Sequence, residues 1–183
     1  GYSGRVDALL ARLVSIVGGG GLLARDDELF VYECDGFTLG GVRPRAVVLP
    51  TDAQQVAGVV RACRDEGVPF VPRGAGTGLS GGAHAVPGSV LIECSRMRDI
   101  VEINVADRIA VVQPGVVNAD LSKAVRRHGL FYAPDPSSQQ ACTIGGNVAE
   151  NSGGPHTLAY GTTTHHVLAL ELVLPDGEIV RLG

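Results

Sequence analysis

A short glycine-rich stretch, residues 72–82, constrains this chain more than any other feature. It reads PRGAGTGLSGG, so five of its eleven residues are glycines, and it directly follows the apolar segment Val68–Val71. Glycine adopts positive φ at little steric cost, and successive N–H groups of such a bare backbone can point into one concavity. A concavity of this kind binds phosphate without many charged side chains. The first prediction is therefore a phosphate-bearing ligand.

The spacing Gly76-x-Gly78-x-x-Gly81 matches the dinucleotide fingerprint, but its context does not. That fingerprint requires a helix to open within the glycines, so that the helix N-terminus meets the pyrophosphate. Here Ala83–Gly88 and a strand-like run, Val90–Cys94, follow instead. A Walker P-loop is excluded because the chain has no Gly-Lys-Ser/Thr. The remaining alternative for residues 72–82 is a purely structural glycine-rich turn.

A second glycine cluster, TIGGNVAENSGGP at residues 143–155, follows the proline-marked loop Ala133–Ser138. Two separate cradles indicate a long ligand. The run Ile144–Asn151 predicts a short helix, whose first turn would offer free N–H donors and a positive dipole end to a phosphate group.

In this order, PRGAGTGLSGG, PDPSS and CTIGGNVAENSGGPH strongly resemble the FAD-linked oxidases of the vanillyl-alcohol oxidase and p-cresol methylhydroxylase superfamily. The resembling branch contains the flavin subunit of glycolate oxidase, the D-lactate dehydrogenases and the D-2-hydroxyglutarate dehydrogenases. The resemblance runs from about Arg45 to the end of the chain, and three motifs in one order make it highly specific.

The resemblance implies that the main chain of the first loop wraps the pyrophosphate of FAD and that the second cradle lines the stretch from pyrophosphate to flavin. The implied cofactor-binding residues are Pro72, Arg73, Gly74, Ala75, Gly76, Thr77, Gly78, Leu79, Pro134, Asp135, Ser138, Thr143, Gly145, Gly146, Asn147, Asn151, Ser152 and Gly153, with weaker matches at Gly161 and Ile179.

Several of these residues have simpler interpretations. Arg73 could form a surface salt bridge, and Asp135 and Ser138 could stabilise a turn in the proline loop. Relatives that bind flavin covalently often carry His at the position of Thr77. Threonine has no imidazole, so the expectation is non-covalent FAD, with Thr77 as a hydroxyl donor or a packing residue.

The implied fold is α+β, a PCMH-type FAD-binding domain with two α/β lobes: a small N-terminal βαβ lobe and a larger lobe with a mixed or antiparallel sheet. The implied division is an N-terminal helical segment at 1–44, a first FAD-binding lobe at 45–100 and an incomplete second lobe at 101–183. Gly1–Gly4 are given no role.

The residue pattern itself predicts the first part of this fold. Apolar residues spaced by three and four predict a first helix that ends at Gly18; they are Val6, Leu9, Leu10, Leu13, Val14 and Val17. Leu22–Leu39 reads as an irregular or short helical connector. Arg45–Leu49 predicts a buried strand, Thr51-x-x-Gln54 a capping box opening a helix that Gly67 closes, and Val68–Val71 a parallel strand.

The second part predicts two hairpins with a helix between them. Ile100–Asn104 pairs with Ile109–Val112, and Val167–Leu174 pairs with Ile179–Leu182 across Pro175-Asp176-Gly177. A helix capped by Asn118 and a strand at Leu130–Tyr132 are predicted between these hairpins.

Composition excludes several function classes. A net charge of −4, a pI near 5.7 and the absence of Trp give no electrostatic or stacking surface for nucleic acid. No apolar run approaches the roughly 18 residues of a membrane span, and the start lacks signal-peptide features. A cytoplasmic location is expected; the alternative is peripheral association with a membrane through a complex. The four cysteines, far apart and without CxxC, are expected to be reduced, mainly core-filling thiols, with neither a zinc site nor a disulfide framework indicated.

Five histidines invite a metal or general-base role: His84, His128, His156, His165 and His166. Adjacent histidines in a strand would point to opposite faces, so a shared metal at the HH pair is not expected. His156 is the strongest candidate because it follows the second cradle, but no catalytic residue and no metal ligand is assigned.

The function implied by the resemblance is oxidation of a 2-hydroxy acid of the glycolate or D-lactate type by hydride transfer to FAD. The substrate-binding residues of relatives lie in a later domain, so the chain reads as part of a longer enzyme and is not expected to turn over alone. Two alternatives stay open: an FAD domain acting on another alcohol, aldehyde or ether lipid, and a non-catalytic nucleotide-binding or subunit-assembly module. Expected partners are a small-molecule acid, an electron acceptor or partner subunits.

Overall fold

A computed structural model describes residues 3–38 and 40–183, with side chains described from residue 8 onward. The predicted contribution of Val6 and the last residue of the predicted connector, Leu39, lie outside that description. The helix α1 spans Ser3–Val17 and ends before Gly18, whose φ is +75°. Leu9, Leu13 and Val17 are buried, so the predicted apolar face is confirmed at these positions.

A four-stranded sheet forms the core of the first half. It contains β1 (Leu22–Leu23), β2 (Ala46–Val48), β3 (Phe70–Arg73) and β4 (Val90–Glu93) in the order β1-β2-β4-β3. β2 and β3 both pair in parallel with β4, whereas β1 pairs antiparallel with β2. Every residue of β2 and β4 is buried, as expected for central parallel strands covered on both faces.

Helices cover both faces of this sheet. The helix α3 spans Ala53–Asp65 and packs with α1 on one face, where Leu13, Val59 and Ile92 belong to one apolar cluster. The short helix α2, Asp26–Leu29, places Leu29 in the cluster on the other face. The βαβ unit is thus confirmed as parallel, with β4 inserted between its two strands.

Two hairpins and three helices make up the second half. β5 (Ile100–Asn104) pairs antiparallel with β6 (Ile109–Val112), and β7 (Leu170–Val173) with β8 (Ile179–Leu182), so both predicted hairpins are confirmed. The helices are α4 (Asn118–Val125), α5 (Ile144–Glu150) and α6 (Thr157–Tyr160). Short 3-10 turns lie at Gly19–Gly21, Phe30–Tyr32, Arg126–His128 and Thr163–His166.

Two predicted helix caps were wrong. Asp52 rather than Thr51 caps α3, since its Oδ1 accepts from the Gln55 N–H at 2.8 Å. Asn118 is the first residue of α4 and not its cap, because its Nδ2 donates to the Pro134 carbonyl at 3.0 Å.

Two extended segments were also misassigned. Leu130–Tyr132 is not a strand; instead, the Tyr132 N–H donates to the Ser122 hydroxyl of α4 at 3.0 Å. The connector at Leu22–Leu39 contains short helical turns, as predicted, at Asp26–Leu29 and Phe30–Tyr32, but it begins with the edge strand β1, which was not predicted.

The hairpin β7–β8 packs back onto α3. Arg61 and Arg64 each donate a hydrogen bond of 2.7 Å, to the carbonyls of Gly177 and Asp176 respectively. Elements of the two expected lobes therefore contact each other directly, and the division at residue 100 stays a prediction.

The four cysteines are free thiols. Cys63 and Cys142 are buried, and burial raises the pKa of the Cys63 and Cys94 thiols to about 11. Cys34 is exposed and is the exception among thiols that were expected to be mainly core-filling. Among residues 3–38 and 40–183, no helix is long and apolar enough to cross a membrane.

Replacing Leu13 tests the contact between α1, α3 and the sheet. Leu13 has no exposed surface, so Leu13→Ala should lower the free energy of unfolding by about 2–5 kcal/mol through lost burial and a residual cavity. Urea unfolding measures the change. The matched control is Leu158→Ala, whose side chain is fully exposed on α6 and which should change stability by less than about 0.5 kcal/mol. Equal losses in the two variants would contradict the packing described here.

Candidate cofactor site

The first glycine loop begins where β3 ends. Pro72 and Arg73 are the last two residues of that strand, and residues 74–82 continue beyond it. Ligand sites of open α/β units lie beyond the carboxyl ends of their parallel strands, and this loop occupies that position.

The backbone N–H groups of this loop are free. Among the described residues, no N–H from Gly74 to Leu79 donates a hydrogen bond. One carbonyl of the loop does have a partner, because the Gly36 N–H donates to the Gly76 carbonyl at 2.8 Å. A Cβ at Gly36 would lie 2.7 Å from the Gly78 carbonyl oxygen, so only glycine permits this approach. Six successive amides of the loop thus have no partner among the described residues, while the Gly76 carbonyl is held by Gly36.

Arg73 is buried beneath the loop. Its Nη2 donates to the Cys34 carbonyl at 2.9 Å, its Nη1 donates to the Ala83 carbonyl at 3.2 Å, and its guanidinium lies 5.6 Å from the centre of the Tyr32 ring. The alternative of a surface salt bridge is therefore wrong, since Arg73 is 8% exposed and its guanidinium bonds to carbonyls. Gly76, with φ +66°, crosses so close that a Cβ there would overlap Arg73 Nη2.

The second cradle lies directly against the first. A Cβ at Gly74 would fall 2.5 Å from Thr143 Oγ1 and 3.9 Å from Gly146 Cα. At the other end, the Ser80 hydroxyl donates to Glu150 Oε2 at 2.5 Å. Thr143, Asn147 and Glu150 are spaced by four and three residues and so share one side of α5, which is the side facing the loop. The two glycine-rich segments therefore lie side by side.

The prediction of free N–H donors at the start of α5 is wrong. Ile144 N–H donates to the Val116 carbonyl and Gly145 N–H to the Pro114 carbonyl, both at 2.8 Å. Gly146 N–H donates to Thr143 Oγ1 at 3.3 Å, and Asn147 N–H to the Thr143 carbonyl at 2.9 Å. Because a capping threonine and a crossing segment from another part of the chain take all four donors, this helix start does not bind phosphate through its amides.

One donor of α5 is nevertheless available. Asn147 is 1% exposed, and its Nδ2 has no hydrogen-bond partner among the described residues. A buried amide without a partner is costly, and such groups in native proteins usually meet a ligand or water. Asn147 lies between Thr143 and Glu150 along α5, and its assignment to the cofactor site stays a prediction.

Two predicted residues lie in the segment Pro134–Ser138. Asp135 Oδ2 lies 2.5 Å from His156 Nδ1, and the His156 N–H donates to Asp135 Oδ1 at 3.3 Å. The hydrogen bond from His156 holds the pKa of the Asp135 carboxyl below its usual range. Asp135 therefore makes a long-range contact, whereas Ser138 accepts the Cys142 N–H in a local turn at 2.8 Å.

The remaining predicted residues brace the second cradle. Asn151 takes the left-handed conformation at φ +48° and its Oδ1 accepts the Thr164 N–H at 3.0 Å, while the Ser152 carbonyl accepts the Thr163 hydroxyl at 2.7 Å. Gly161, at φ +81°, follows α6. Ile179 lies on the β7–β8 hairpin, and no described contact joins it to either glycine-rich segment. The assignments of Gly145, Gly153, Leu79 and the other implied residues to a cofactor stay predictions.

A cavity of about 280 Å³ opens between the cradles, lined in part by Ala75 and Thr143. Sequence reasoning missed the other residues that line it, which include Ser95, Arg98, Gly115, Val116, Val117 and Asp120. The sequence Gln113-Pro114-Gly115 was the available signal, but it reads equally well as the end of a hairpin strand.

The chemistry of these donors fits the diphosphate of a dinucleotide cofactor. Six free main-chain amides and one buried side-chain amide supply directional donors without excess cationic charge. In the part of the chain that the structure describes, no three His, Cys, Asp or Glu side chains gather as metal ligands. His84 contacts Asp35 at 2.7 Å, and His165 and His166 lie in a 3-10 turn rather than in a strand.

Comparison with known proteins identifies the family. A family model described as an FAD binding domain matches residues 44–183. The chain therefore belongs to this FAD-binding family, and the predicted α+β class is confirmed.

Named relatives refine this picture. The chain is 51% identical over 162 residues to glycolate oxidase subunit GlcD of Escherichia coli strain K12, a match covering 88% of this chain and 32% of that protein. It is 40% identical over 157 residues to D-lactate dehydrogenase of Anaerostipes hadrus, covering 86% of this chain and 31% of that protein. The chain thus spans about a third of the length of the curated relatives it matches.

A solved structure of p-cresol methylhydroxylase with substrate bound superposes with a TM-score of 0.82 at 23% identity, covering 98% of this chain and 36% of that one. At this identity the likeness shows the fold alone. The resemblance to the superfamily and to its hydroxy-acid branch is confirmed by these matches.

The pairing of Asp135 with His156 predicts a specific pH dependence. Because the folded-state pKa of Asp135 is depressed, the pair contributes stability above the usual aspartate pKa of about 3.9, and this contribution is lost as pH falls through the folded-state pKa. His156→Ala should raise the pKa of Asp135 towards its ordinary value, measured by NMR titration of the carboxyl carbon. His128→Ala, in the exposed turn after α4, is the control. An unchanged Asp135 titration in His156→Ala would show that another group sets this pKa.

Proposed function

We propose that this chain forms the FAD-binding part of a flavin-dependent oxidoreductase that oxidises a 2-hydroxy acid of the glycolate or D-lactate type. The observation that carries the proposal is the row of six free amides from Gly74 to Leu79, set against Thr143 and the unpaired Asn147 amide. The similarity to GlcD and to a D-lactate dehydrogenase supports the substrate class.

The chain's own residues would bind and orient the cofactor. The amides of the first loop would donate to the diphosphate, where a hydrogen bond to a charged acceptor is worth about 1.5–3 kcal/mol. Asn147 Nδ2 would add a buried donor from α5. Bound FAD would supply the hydride-accepting ring, and the protein's part here is position and electrostatics.

Non-covalent attachment is part of this proposal. Thr77, which stands where covalent relatives often carry histidine, offers only a hydroxyl. Its carbonyl lies beside Gly36, where a Cβ would come within 2.8 Å of it, so the backbone of Thr77 is closely packed. Acid precipitation of the loaded protein should therefore leave all flavin in the supernatant, and flavin retained in the pellet would contradict non-covalent binding.

A cytoplasmic location and partner subunits are also part of the proposal. Four free cysteines fit a reducing compartment such as the cytoplasm. The relative GlcD is named as a subunit, which supports partner subunits that accept electrons and that could hold the enzyme at a membrane surface.

Replacing Gly74 tests the cofactor site. Titration of the apo protein with FAD, followed by flavin fluorescence, should show saturable binding and a flavin absorption band in the visible. In Gly74→Ala the new Cβ would fall 2.5 Å from Thr143 Oγ1 and separate the cradles, so the Kd should rise at least about tenfold, or 1.4 kcal/mol. Gly20→Ala is the matched control, because a Cβ there meets nothing within 4 Å. Equal affinities in the two variants would refute this role of the contact.

The substrate class requires the full-length enzyme. Anaerobic addition of glycolate, D-lactate or D-2-hydroxyglutarate should bleach the visible flavin band, whereas simple alcohols and aldehydes should not. Bleaching by alcohols or aldehydes alone would favour the other superfamily chemistry, and FAD binding without bleaching by any of these compounds would favour a non-catalytic module.

A further inference from the structure

A carboxylate lies against the distal half of the first glycine loop, where nothing in the proposed binding of a diphosphate calls for one. Glu150, the last residue of α5, accepts the Ser80 hydroxyl on Oε2 at 2.5 Å. Its other oxygen, Oε1, lies 3.5 Å from the Cβ position of Gly78 and 3.1 Å from that of Gly82. The carboxylate thus rests on residues 78–82.

A negative charge here opposes the proposed ligand. A carboxylate near a diphosphate repels it, and the repulsion grows as water is excluded from the site. If Glu150 had no other role, its charge would only weaken cofactor binding. Its contact with Ser80 supplies a different role.

The first loop is fixed at three points along its length. Gly74 rests on Thr143, the Gly76 carbonyl accepts the Gly36 N–H, and Ser80 bonds to Glu150. Among the described residues, the Ser80–Glu150 bond is the one side-chain hydrogen bond that joins the first loop to α5. Without it, the segment from Thr77 to Gly82, which contains three glycines, would have no such bond to that helix.

We propose that Glu150 is a positioning residue, which clasps Ser80 and fixes the distal half of the loop so that the amides of Gly74–Leu79 are preorganised for the diphosphate. This inference rests on the proposed function. A flexible glycine segment loses conformational freedom when it binds, and an internal contact that orders it beforehand lowers that cost. The clasp therefore improves affinity despite the like charge of Glu150 and the ligand.

The test is a double-mutant cycle on the whole protein, with Ser80→Ala, Glu150→Gln and the double variant. Each single change should raise the Kd for FAD by about three- to tenfold, the range of a partly exposed charge-assisted hydrogen bond. The double variant should be no worse than Ser80→Ala alone, because Ser80→Ala removes the hydrogen bond outright, whereas Glu150→Gln keeps an acceptor oxygen and removes only its charge. Ser80→Thr, which keeps the hydroxyl, should bind FAD like the parent protein.

A second measurement separates positioning from general stability and needs no cofactor. In the apo protein, amide hydrogen exchange at residues 76–82 should accelerate in Ser80→Ala and Glu150→Gln, while exchange in the sheet core stays unchanged. Glu102→Gln, which removes an exposed carboxylate on β5, should alter neither exchange in the loop nor the affinity for FAD.

Other outcomes overturn the inference. Tighter binding by Glu150→Gln, with Ser80→Ala unchanged, would mean that Glu150 only repels the diphosphate, and additive effects in the double variant would mean that the two residues act independently. Unchanged exchange at residues 76–82 would show that the clasp orders nothing. If the parent protein fails to bind FAD while exchange follows the expected pattern, the proposed function is wrong but the clasp itself stands.

Discussion

The buried guanidinium of Arg73 is the interaction on which the first glycine loop depends. It lies at the carboxyl end of β3 and bonds to the carbonyls of Cys34 and Ala83, which belong to the segments on either side of the loop. A loop with five glycines has little side-chain packing of its own, so its shape must be imposed from beneath. Removing this cation would leave two carbonyls without their donor in a poorly hydrated place, which is costly.

The cation requires compensation, and the sheet supplies it. Glu93 on β4 is the register partner of Arg73 and is 5% exposed. Burial raises the pKa of the Glu93 carboxyl, whereas hydrogen bonds from Ser95 and the charge of Arg73 lower it, and burial is the largest of these effects. Among the described residues the two groups form no direct salt bridge, so Glu93 acts on Arg73 through its charge alone. Both charges lie at the edge of the sheet from which the loop departs.

The parts of the fold that were predictable are those in which residue chemistry acts locally. The apolar periodicity of α1, the buried strands β2 and β4 and the two hairpins follow from spacing and turn residues. Three features could not be predicted in this way. The cap at Asp52 depends on competition with the adjacent Thr51. The bond of Asn118 to Pro134 and the occupied amides at the start of α5 depend on partners distant in sequence. The high glycine content of both segments predicted a phosphate-binding backbone in each. The local sequence does not distinguish the free amides of residues 74–79 from the occupied amides of α5.

This distinction decides how the site can recognise an anion. Arg73 is committed to carbonyls beneath the loop, Asp35 and Glu150 place carboxylates beside it, and the whole chain carries a net charge of −4. Attraction between opposite charges therefore contributes little at long range, where salt would also screen it. In the proposed function, recognition would instead come from short, directional bonds donated by the amides of Gly74–Leu79. Because each contact that orders the loop then acts on every donor at once, the glycine-rich loop and its supports at Arg73, Thr143 and Glu150 form one unit.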